Sequence, residues 1–308
     1  MANSHTSQQL KTKGKVLLVG CGELGIQTAG LLQADHYEVV GARRTIQSLP
    51  KSIAGLSIDI TEPASLAVLS EQQWDAVIIT LTADSFTADA YRLTYIEGLH
   101  NVLQSLSRPL SDQAVSPLVL FASSTSVYGQ TDGSSVDEYS ATVPASFSGQ
   151  TMLAAEALVE EYLGTACSIR FGGIYGRGKS RLVSRLEAGE ICPHEPAVIS
   201  NRIHSVDCCR TFMHLFRRYQ AGQPLDSIYL AVDSQPTPLY EVMQWLANKN
   251  KIKTLNFFLE KKNVKNNGVH VITQLAPTLG LDIVSFTNST IYSINVTHLD
   301  FFLPLLDK

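Results

Sequence analysis

Three glycines stand at a spacing that could hold a phosphate group. Gly20, Gly22 and Gly25 form a G-x-G-x-x-G pattern that follows a short apolar run and opens a helical stretch. The first glycine of such a turn permits a tight bend, the second lets a pyrophosphate approach the backbone, and the third lets the helix pack closely. Glycines also occur in turns that bind nothing, and a methyltransferase could use the same turn. The context favours a dinucleotide site, with cofactor contacts from Gly20, Gly22, Glu23, Leu24 and Gly25.

A second chemical signal follows the next apolar run. An NAD-preferring site carries an Asp or Glu about 20 residues past the first glycine, bonded to the ribose 2′-hydroxyl. Glu38 is the only acid between residues 36 and 58 and lies early in that run, which instead ends at Arg43 and Arg44. Two arginines there can bind a 2′-phosphate, or they can be ordinary solvated side chains. We predict NADP as the cofactor, with NAD as the alternative.

A third signal is a run of hydroxyl groups. Residues 123–129 read Ser-Ser-Thr-Ser-Val-Tyr-Gly after another apolar run. Hydroxyls at the carboxyl end of a parallel strand can polarise a substrate oxygen beside a bound nicotinamide. A Ser/Thr cluster alone is more often a turn. Its position after a strand makes Ser124 and Thr125 candidate catalytic residues and Ser123 a candidate cofactor contact.

Strands and helices that alternate along the chain would position these groups. The apolar runs at 15–19, 37–41, 75–80, 118–123 and 167–171 are predicted strands, and helices are predicted at about 23–34, 87–106 and 149–163. This alternation is typical of right-handed β-α-β units. We therefore predict an α/β fold, a doubly wound parallel sheet of the Rossmann type with a smaller C-terminal lobe.

The domain boundaries follow from the same pattern. We expect a flexible tail at residues 1–13, an NAD(P)-binding domain at 14–175 and a substrate lobe within 176–308. Segments at about 200–235 would return to the first domain. Residues 248–267 are rich in Lys and Asn. They could form a basic patch, although a solvated surface segment is the interpretation we favour.

Composition excludes several classes of protein. Hydrophobic residues make up 44% of the 308, charged residues 17%, and the net charge is -4, so neither disorder nor a nucleic-acid or anionic-membrane partner is indicated. Residues 1–15 lack the apolar core of a signal peptide, and no apolar run is long enough to span a membrane. We expect a soluble cytoplasmic protein that acts on a small molecule. Its oligomeric state is left open.

The cysteines and histidines do not predict a metal site. The five cysteines are an odd number without a C-x-x-C pair, and the eight histidines show no H-E-x-x-H spacing. We predict neither a disulfide framework nor a bound metal. Cys21 lies inside the glycine turn, where a helix N-terminus could acidify its thiol. The simpler interpretation, a small residue that fits the turn, is the one we favour.

Several motifs together resemble a known family. The glycine turn, the 123–129 segment, Arg-Phe-Gly-Gly-Ile-Tyr-Gly at 170–176, Arg-Ile-His at 202–204 with Asp207, and Tyr-Leu-Ala-Val-Asp at 229–233 occur in one order. Over about residues 15–250 the chain is similar to the extended short-chain dehydrogenases/reductases of the NAD-dependent epimerase/dehydratase superfamily, and most to their atypical YeeZ-like subgroup.

This resemblance implies roles for individual residues. Ser124 matches the active-site serine and Asp59 the acid near the adenine ring. The segment Thr80, Leu81 and Thr82 would line the ribose side of the cofactor. His204 and Asp207 match a motif below the site, which we interpret as structural.

The chain departs from the family at its proton relay. Most members carry Tyr-x-x-x-Lys on the helix after the serine strand, where the lysine lowers the pKa of the tyrosine from about 10. Aligned on Glu156, these positions hold Ser148 and Met152. Tyr175 and Lys179 repeat the spacing, but two glycines between them disfavour a helix, so the match is interpreted as chance. Tyr175 could still reach the site from the end of its strand and is the first candidate for a substitute acid.

Two functions are compatible with these residues. One is an NADP-dependent oxidoreductase or epimerase-like enzyme on a carbonyl or sugar-type substrate, with weak carbonyl reduction unless another acid replaces the pair. The other is a non-catalytic NADP-binding redox sensor or regulatory protein.

Overall fold

A computed structural model describes residues 12–107, 115–176, 181–190, 192, 194, 197–251 and a strand at 270–271. The predicted tail up to residue 11, Lys179 and most of the 248–267 segment lie outside these ranges. Seven strands form the main sheet: β1 Lys15–Val19, β2 Glu38–Arg43, β3 Ala54–Ser57, β4 Ala76–Ile79, β5 Leu118–Ser124, β6 Ala166–Phe171 and β7 Ile228–Ala231.

The sheet is parallel throughout, and its order is β7-β6-β5-β4-β1-β2-β3. Leu18 of β1 is in register with Gly41 of β2 on one side and Ile78 of β4 on the other. After β1 the chain therefore adds β2 and β3 on one side of β1, and it then returns to add β4 to β7 on the other side. A ligand crevice forms where strand order reverses in this way, between β1 and β4. The predicted doubly wound parallel sheet is confirmed.

Helices cover both faces of the sheet. They are α1 Glu23–Ala34, α2 Ala88–Arg92, α3 Leu99–Leu106, α4 Phe147–Glu160, α5 Arg181–Glu187, α6 Ser205–Gln220 and α7 Leu239–Lys249, and a π-helical turn, Leu93–Gly98, joins α2 to α3. One core lies between the sheet and helices α1 and α6 and includes Leu32 and Phe212. The other lies under α3 and α4 and includes Leu99 and Phe121.

Element boundaries differ slightly from the predicted ones. Helix α4 begins at Phe147, two residues early, because the Ser146 hydroxyl caps it by accepting from the Gly149 N–H. Strand β2 continues through Arg43, since its ladder with β3 extends that far. Strand β3 was not predicted: it has four residues, lies at the sheet edge and is mostly exposed, so it carries no apolar run.

A smaller apolar cluster lies beyond the main sheet. Helices α5 and α7 pack around Leu186, Met243 and Leu246, with the ring of Tyr175 at its edge. Three short strand pairs lie outside the main sheet: Gly173–Tyr175 with Arg202–His204, Ile199–Ser200 with Thr237–Pro238, and Ser135–Val136 with His270–Val271. Short 3₁₀ helices occur at Ile46–Ser48, Pro63–Leu69 and Thr125–Val127. Across the described ranges, no helix combines the length and apolar character that crossing a bilayer requires.

Candidate functional site

A cleft of about 380 Å³ lies at the carboxyl edge of the sheet, at the β1/β4 crevice. Nine of the residues predicted as site residues line it together: Gly20, Gly22, Glu23, Leu24, Thr80, Leu81, Thr82, Ser123 and Ser124. The remaining predicted residues are not among the described residues that line it: Gly25, Arg43, Arg44, Asp59, Thr125 and Tyr175. The cleft thus joins the glycine turn to the hydroxyl run across β4 and β5.

The glycine turn presents open backbone to this cleft. Gly20 has a φ of 74°, a left-handed conformation that favours glycine, and its carbonyl accepts from Thr80 Oγ1 at 3.1 Å. A Cβ on Gly22 would meet only the Gly20 carbonyl oxygen, at 3.8 Å, so the space above Gly22 is open. No side chain caps the first turn of α1. Exposed N–H groups at a helix N-terminus with room above them fit the pyrophosphate of a dinucleotide.

Cys21 faces away from this chemistry. Its side chain is fully buried, and Sγ would lie 3.2 Å from a Cβ placed on Gly25 and 3.0 Å from one on Gly41. Burial raises the pKa of the Cys21 thiol to about 11, against an opposing effect of Arg43. The thiol is therefore a packing group, in line with the simpler of its two interpretations.

The arginines at the end of β2 differ in what they contact. Arg43 is half-buried, and its Nη1 donates to the Cys21 carbonyl at 3.1 Å, so its guanidinium lies against the glycine turn. Arg44 is exposed and forms a two-point ion pair with Asp84, at 2.8 and 2.5 Å. Asp84 therefore neutralises one of the two charges on which the NADP prediction depends.

Asp59 follows β3, close to these arginines. Its carboxylate accepts from the Thr61 hydroxyl at 2.7 Å and from the Thr61 N–H at 3.0 Å. These bonds lower the pKa of Asp59, and Arg44 adds to the effect. The carboxylate is thus ionised and fixed in place, and its contact with an adenine ring stays a prediction.

The hydroxyls at the end of β5 have separate environments. Ser124 faces the cleft and its Oγ accepts from the Ser126 N–H at 3.1 Å, which leaves its own O–H available to a ligand. Ser123 is buried and donates to Glu156 Oε1 at 2.5 Å. Thr125 begins a short 3₁₀ turn, and Ser126 rather than Thr125 lines the cleft.

Ser148 and Met152, which the family resemblance aligns with the proton relay, also line the cleft. Ser148 and Met152 are one turn apart on α4, and both are buried. The Ser148 hydroxyl lies 3.2 Å from that of Ser146. On that alignment a short hydroxyl and a thioether replace the phenol and the ammonium, and neither is an acid near neutral pH.

Tyr175 is placed elsewhere. Its ring is buried edge-on against His204, with centroids 5.2 Å apart, and only its neighbour Ile174 lines the cleft. Burial, reinforced by Asp233 and Asp207, holds the pKa of Tyr175 well above its usual range. This position does not support Tyr175 as the substitute acid.

His204 and Asp207 stabilise the start of α6. His204 Nδ1 accepts from the Val206 N–H at 3.3 Å, and Asp207 pairs with Arg210 at 3.1 Å. Burial lowers the pKa of His204 and raises that of Asp207. A helix cap and an ion pair one turn apart fit a structural role.

Sequence reasoning missed an aromatic wall of the cleft. Phe86, Tyr91 and Tyr95 line it from the segment after β4, and Arg181 lines it from α5. The i, i+4 spacing of Tyr91 and Tyr95 on a predicted helix beside the cofactor segment was a usable signal. Arg181 had none, because it comes from the C-terminal part of the chain. Among the described residues, no group of three His, Cys, Asp or Glu side chains could hold a metal ion.

Known proteins resemble this chain in both sequence and fold. The protein YeeZ of Escherichia coli K12 is 29% identical over 188 residues, which are 58% of this chain and 65% of YeeZ, just under two thirds of its length. A protein of Methylobacillus flagellatus, described as a candidate NAD-dependent epimerase/dehydratase, is 28% identical with a TM-score of 0.69 over 95% of this chain and 97% of its own.

A more distant structure shows the shared fold. The UDP-glucuronic acid 4-epimerase of Bacillus cereus, in complex with NAD, is 18% identical with a TM-score of 0.71 over 94% of this chain and 97% of its own. The family model of the NAD-dependent epimerases/dehydratases matches residues 16–228, well over half of the chain. Together with the parallel sheet and the open glycine turn at its crevice, this match shows that the chain belongs to the NAD-dependent epimerase/dehydratase family.

Proposed function

We propose that this protein binds NADP and uses it in a redox step on a carbonyl or sugar-type small molecule, as an oxidoreductase or an epimerase-like enzyme. The single observation that carries the proposal is the shared cleft: the open glycine turn and the free O–H of Ser124 face the same space of about 380 Å³. The Bacillus cereus relative is named for UDP-glucuronic acid, a sugar nucleotide, which belongs to the class of substrate proposed. Five buried, free cysteines favour the cytoplasm as its compartment.

Separate parts of the cleft would hold separate parts of the cofactor. The turn from Gly20 to Gly25 would hold the pyrophosphate, and Thr80 to Thr82 would line the ribose beside β4. A nicotinamide bound there supplies or accepts a hydride. Ser124 would donate a hydrogen bond to the substrate oxygen and orient the carbonyl, a role worth several kcal/mol in preorganised sites, about 2.7–4 for one donor.

The preference for NADP rests on Arg43. Its guanidinium is held against the glycine turn by the bond to the Cys21 carbonyl, so it already lies beside the proposed cofactor site. Arg44 would contribute less, because Asp84 competes with a phosphate for the same two N–H groups. An acid that could bind a ribose 2′-hydroxyl does not follow β2 directly in the sequence.

A second function, a non-catalytic NADP-binding sensor, is favoured by one observation. Ser148 and Met152 both line the cleft, so the family's proton relay is missing from the place where it would act. A dinucleotide site without an acid could still report the redox state of the NADP pool.

The first experiment is a fluorescence titration of the full chain with NADPH, followed by an NADPH-oxidation assay. The assay panel should contain an aromatic aldehyde, an ortho-quinone and UDP-linked sugars. We expect tight binding and turnover of at least one carbonyl compound, with kcat lowered about 100-fold or more in Ser124→Ala because one oriented donor is lost. Ser135→Ala, an exposed serine in the segment after the site, is the matched control.

The two functions give different results in this assay. Tight NADPH binding without turnover of any panel compound would favour the sensor, and absence of NADPH binding in folded protein would exclude both.

A further inference from the structure

The aromatic ring of Tyr91 lies near the position where most family members carry their catalytic tyrosine. Ser148 stands where most family members carry the tyrosine, and the residue before it, Phe147, packs edge-on against Tyr91 with centroids 5.4 Å apart. Tyr91 belongs to α2, which packs against α4. Tyr91 and Ser148 therefore line the same cleft from two helices that pack together.

Three tyrosines near the cleft can be compared as proton donors. Tyr175 is buried against His204 and outside the cleft lining. Tyr95 lines the cleft, but its hydroxyl donates to the Leu81 carbonyl at 3.2 Å, and burial raises its pKa to about 12. Tyr91 is half-buried and lines the cleft, and its hydroxyl has no hydrogen-bond partner within the described ranges. Of the three, only Tyr91 both lines the cleft and has a hydroxyl without a hydrogen-bond partner among the described residues.

Packing fixes the Tyr91 ring in this position. It contacts Phe86 at 5.5 Å, Tyr95 at 5.2 Å and Phe147 at 5.4 Å between ring centroids. Aromatic contacts from three directions hold a ring without using its hydroxyl. Apolar contacts thus position the Tyr91 oxygen, and its O–H stays available to donate to a ligand.

The charges around the cleft suit this role. Among the described residues that line it, Glu23 on α1 and Arg181 on α5 carry charge. Arg181 lies over the Phe86 ring, 5.6 Å from its centroid, and Phe86 in turn contacts Tyr91. The cation of the cleft lining therefore lies on the same side as Tyr91. Glu23 belongs to the opposite, glycine-turn end of the cleft.

We propose that Tyr91 takes the place of the family's tyrosine and gives its hydroxyl proton to the substrate oxygen that Ser124 orients. This inference rests on the proposed function. In the reduction, the carbonyl carbon accepts a hydride from the reduced nicotinamide dinucleotide, and the C=O π pair moves onto the oxygen. That oxygen takes the Tyr91 proton to form the alcohol, and the phenolate regains a proton from water. The reverse direction runs through the same groups.

The first test is kinetic and uses the full chain with NADPH and an ortho-quinone as substrate probe. Tyr91→Phe removes only the hydroxyl, so we expect kcat to fall by about 10²–10⁴-fold, with KM and NADPH affinity within about twofold. Tyr139→Phe, at an exposed tyrosine outside the cleft lining, is the matched control and should retain kcat within about threefold. In the Tyr91→Phe background, Ser148→Tyr with Met152→Lys should restore turnover. An unchanged kcat in Tyr91→Phe would overturn the proposal and leave the proposed function standing.

The second test needs no turnover. With tyrosine labelled with ¹³C at Cζ, the resonance that disappears in Tyr91→Phe is recorded in the presence of NADP⁺ and of NADPH. A nicotinamide ring close to the hydroxyl should give this resonance different chemical shifts with the charged oxidised ring and with the neutral reduced ring. The same chemical shift with both cofactors, in protein shown by fluorescence to bind both, would place the hydroxyl away from the nicotinamide and overturn the inference. Failure of wild type to bind either cofactor would instead overturn the proposed function, and this inference with it.

Discussion

Glu156 on α4 joins the ends of β5 and β6: its carboxylate accepts from Ser123 Oγ at 2.5 Å and pairs with Arg170 at 2.8 Å. Both charged side chains are buried, at 5% and 6% exposure. Arg170 also donates to Tyr128 Oη at 2.9 Å, so the network runs beneath the hydroxyl segment. The serine that precedes Ser124 is therefore held by a buried carboxylate, and the register of the candidate site depends on it.

Removal of this carboxylate should destabilise the fold. We expect Glu156→Ala to lower the free energy of unfolding by about 3–5 kcal/mol, because Arg170 would be left as an uncompensated buried charge. Denaturant unfolding measures the change. Glu160→Ala, one turn later on the exposed face of α4, is the control and should lie within about 0.5 kcal/mol of wild type. Equal midpoints for the two variants would contradict a stabilising pair.

The glycine turn makes a prediction about binding that is separate from folding. Gly22 has a φ of -91°, and a Cβ there meets no atom closer than 3.8 Å, so Gly22→Val should fold. Its side chain would fill the open space above the turn, and we expect NADPH affinity to fall at least about 100-fold. Gly30→Val, on the same helix with open space around its Cα, is the matched control. Wild-type NADPH affinity in folded Gly22→Val would show that the cofactor does not bind at this turn.

The NADP preference can be raised as well as lowered. Arg43→Ala should reduce NADP affinity by about 1.5–3 kcal/mol, or about 10- to 150-fold, with little effect on NAD. Asp84→Asn should do the reverse and tighten NADP binding, because Arg44 would be released from its ion pair. Asp89→Asn, a nearby exposed acid on α2, controls for the change in net charge. Titrations that show equal NAD and NADP affinity in wild type would refute the preference.

Stability should depend on pH through Glu138. Its Oε1 accepts from the Leu230 N–H at 3.1 Å, Oε2 is buried without a partner in the described structure, and burial raises the pKa of this carboxyl. Because the pKa of Glu138 in the folded protein lies above its unfolded value, the contribution of Glu138 to folding stability is complete below the usual Glu pKa. It is lost as pH rises through the folded pKa.

Glu138→Gln should remove this loss. The amide keeps an acceptor for Leu230 and carries no charge, so we expect the variant to be more stable than wild type at neutral pH. The difference should vanish on acidification toward the usual Glu pKa. Thermal unfolding across that pH range tests this, with exposed Glu161→Gln as the control. A pH-independent difference would show that the carboxyl does not titrate with unfolding.

Cys21 should be unreactive in the folded protein. With a pKa of about 11, its thiolate fraction at pH 8 is about one thousandth, and the side chain is buried. We expect mass spectrometry after iodoacetamide treatment to find Cys21 unmodified in native protein and modified in denaturant. Labelling of native Cys21 at the rate of a free cysteine would instead support the interpretation that the helix N-terminus acidifies its thiol.

Local chemistry in the sequence determined the fold and the glycine-turn half of the cleft. The alternating strands and helices, the Gly20-x-Gly22-x-x-Gly25 turn and the hydroxyl run after β5 are contiguous patterns, and each needs only its own neighbours to be recognised. Because parallel strands end at one edge of the sheet, the predicted topology was enough to place the turn and Ser124 on the same side.

The tertiary structure alone decided what surrounds those groups. The sequence offered Tyr175 as the substitute acid, whereas packing of α2 on α4 brings Tyr91 to the cleft and Tyr175 is buried against His204. The Arg44–Asp84 pair and the Glu156–Ser123 bond likewise join residues 40 and 33 positions apart. Such contacts depend on how the helices pack against the sheet. The pattern of side chains along the chain does not specify this packing, because a helix of given amphipathicity can place either of two adjacent side chains in a cleft.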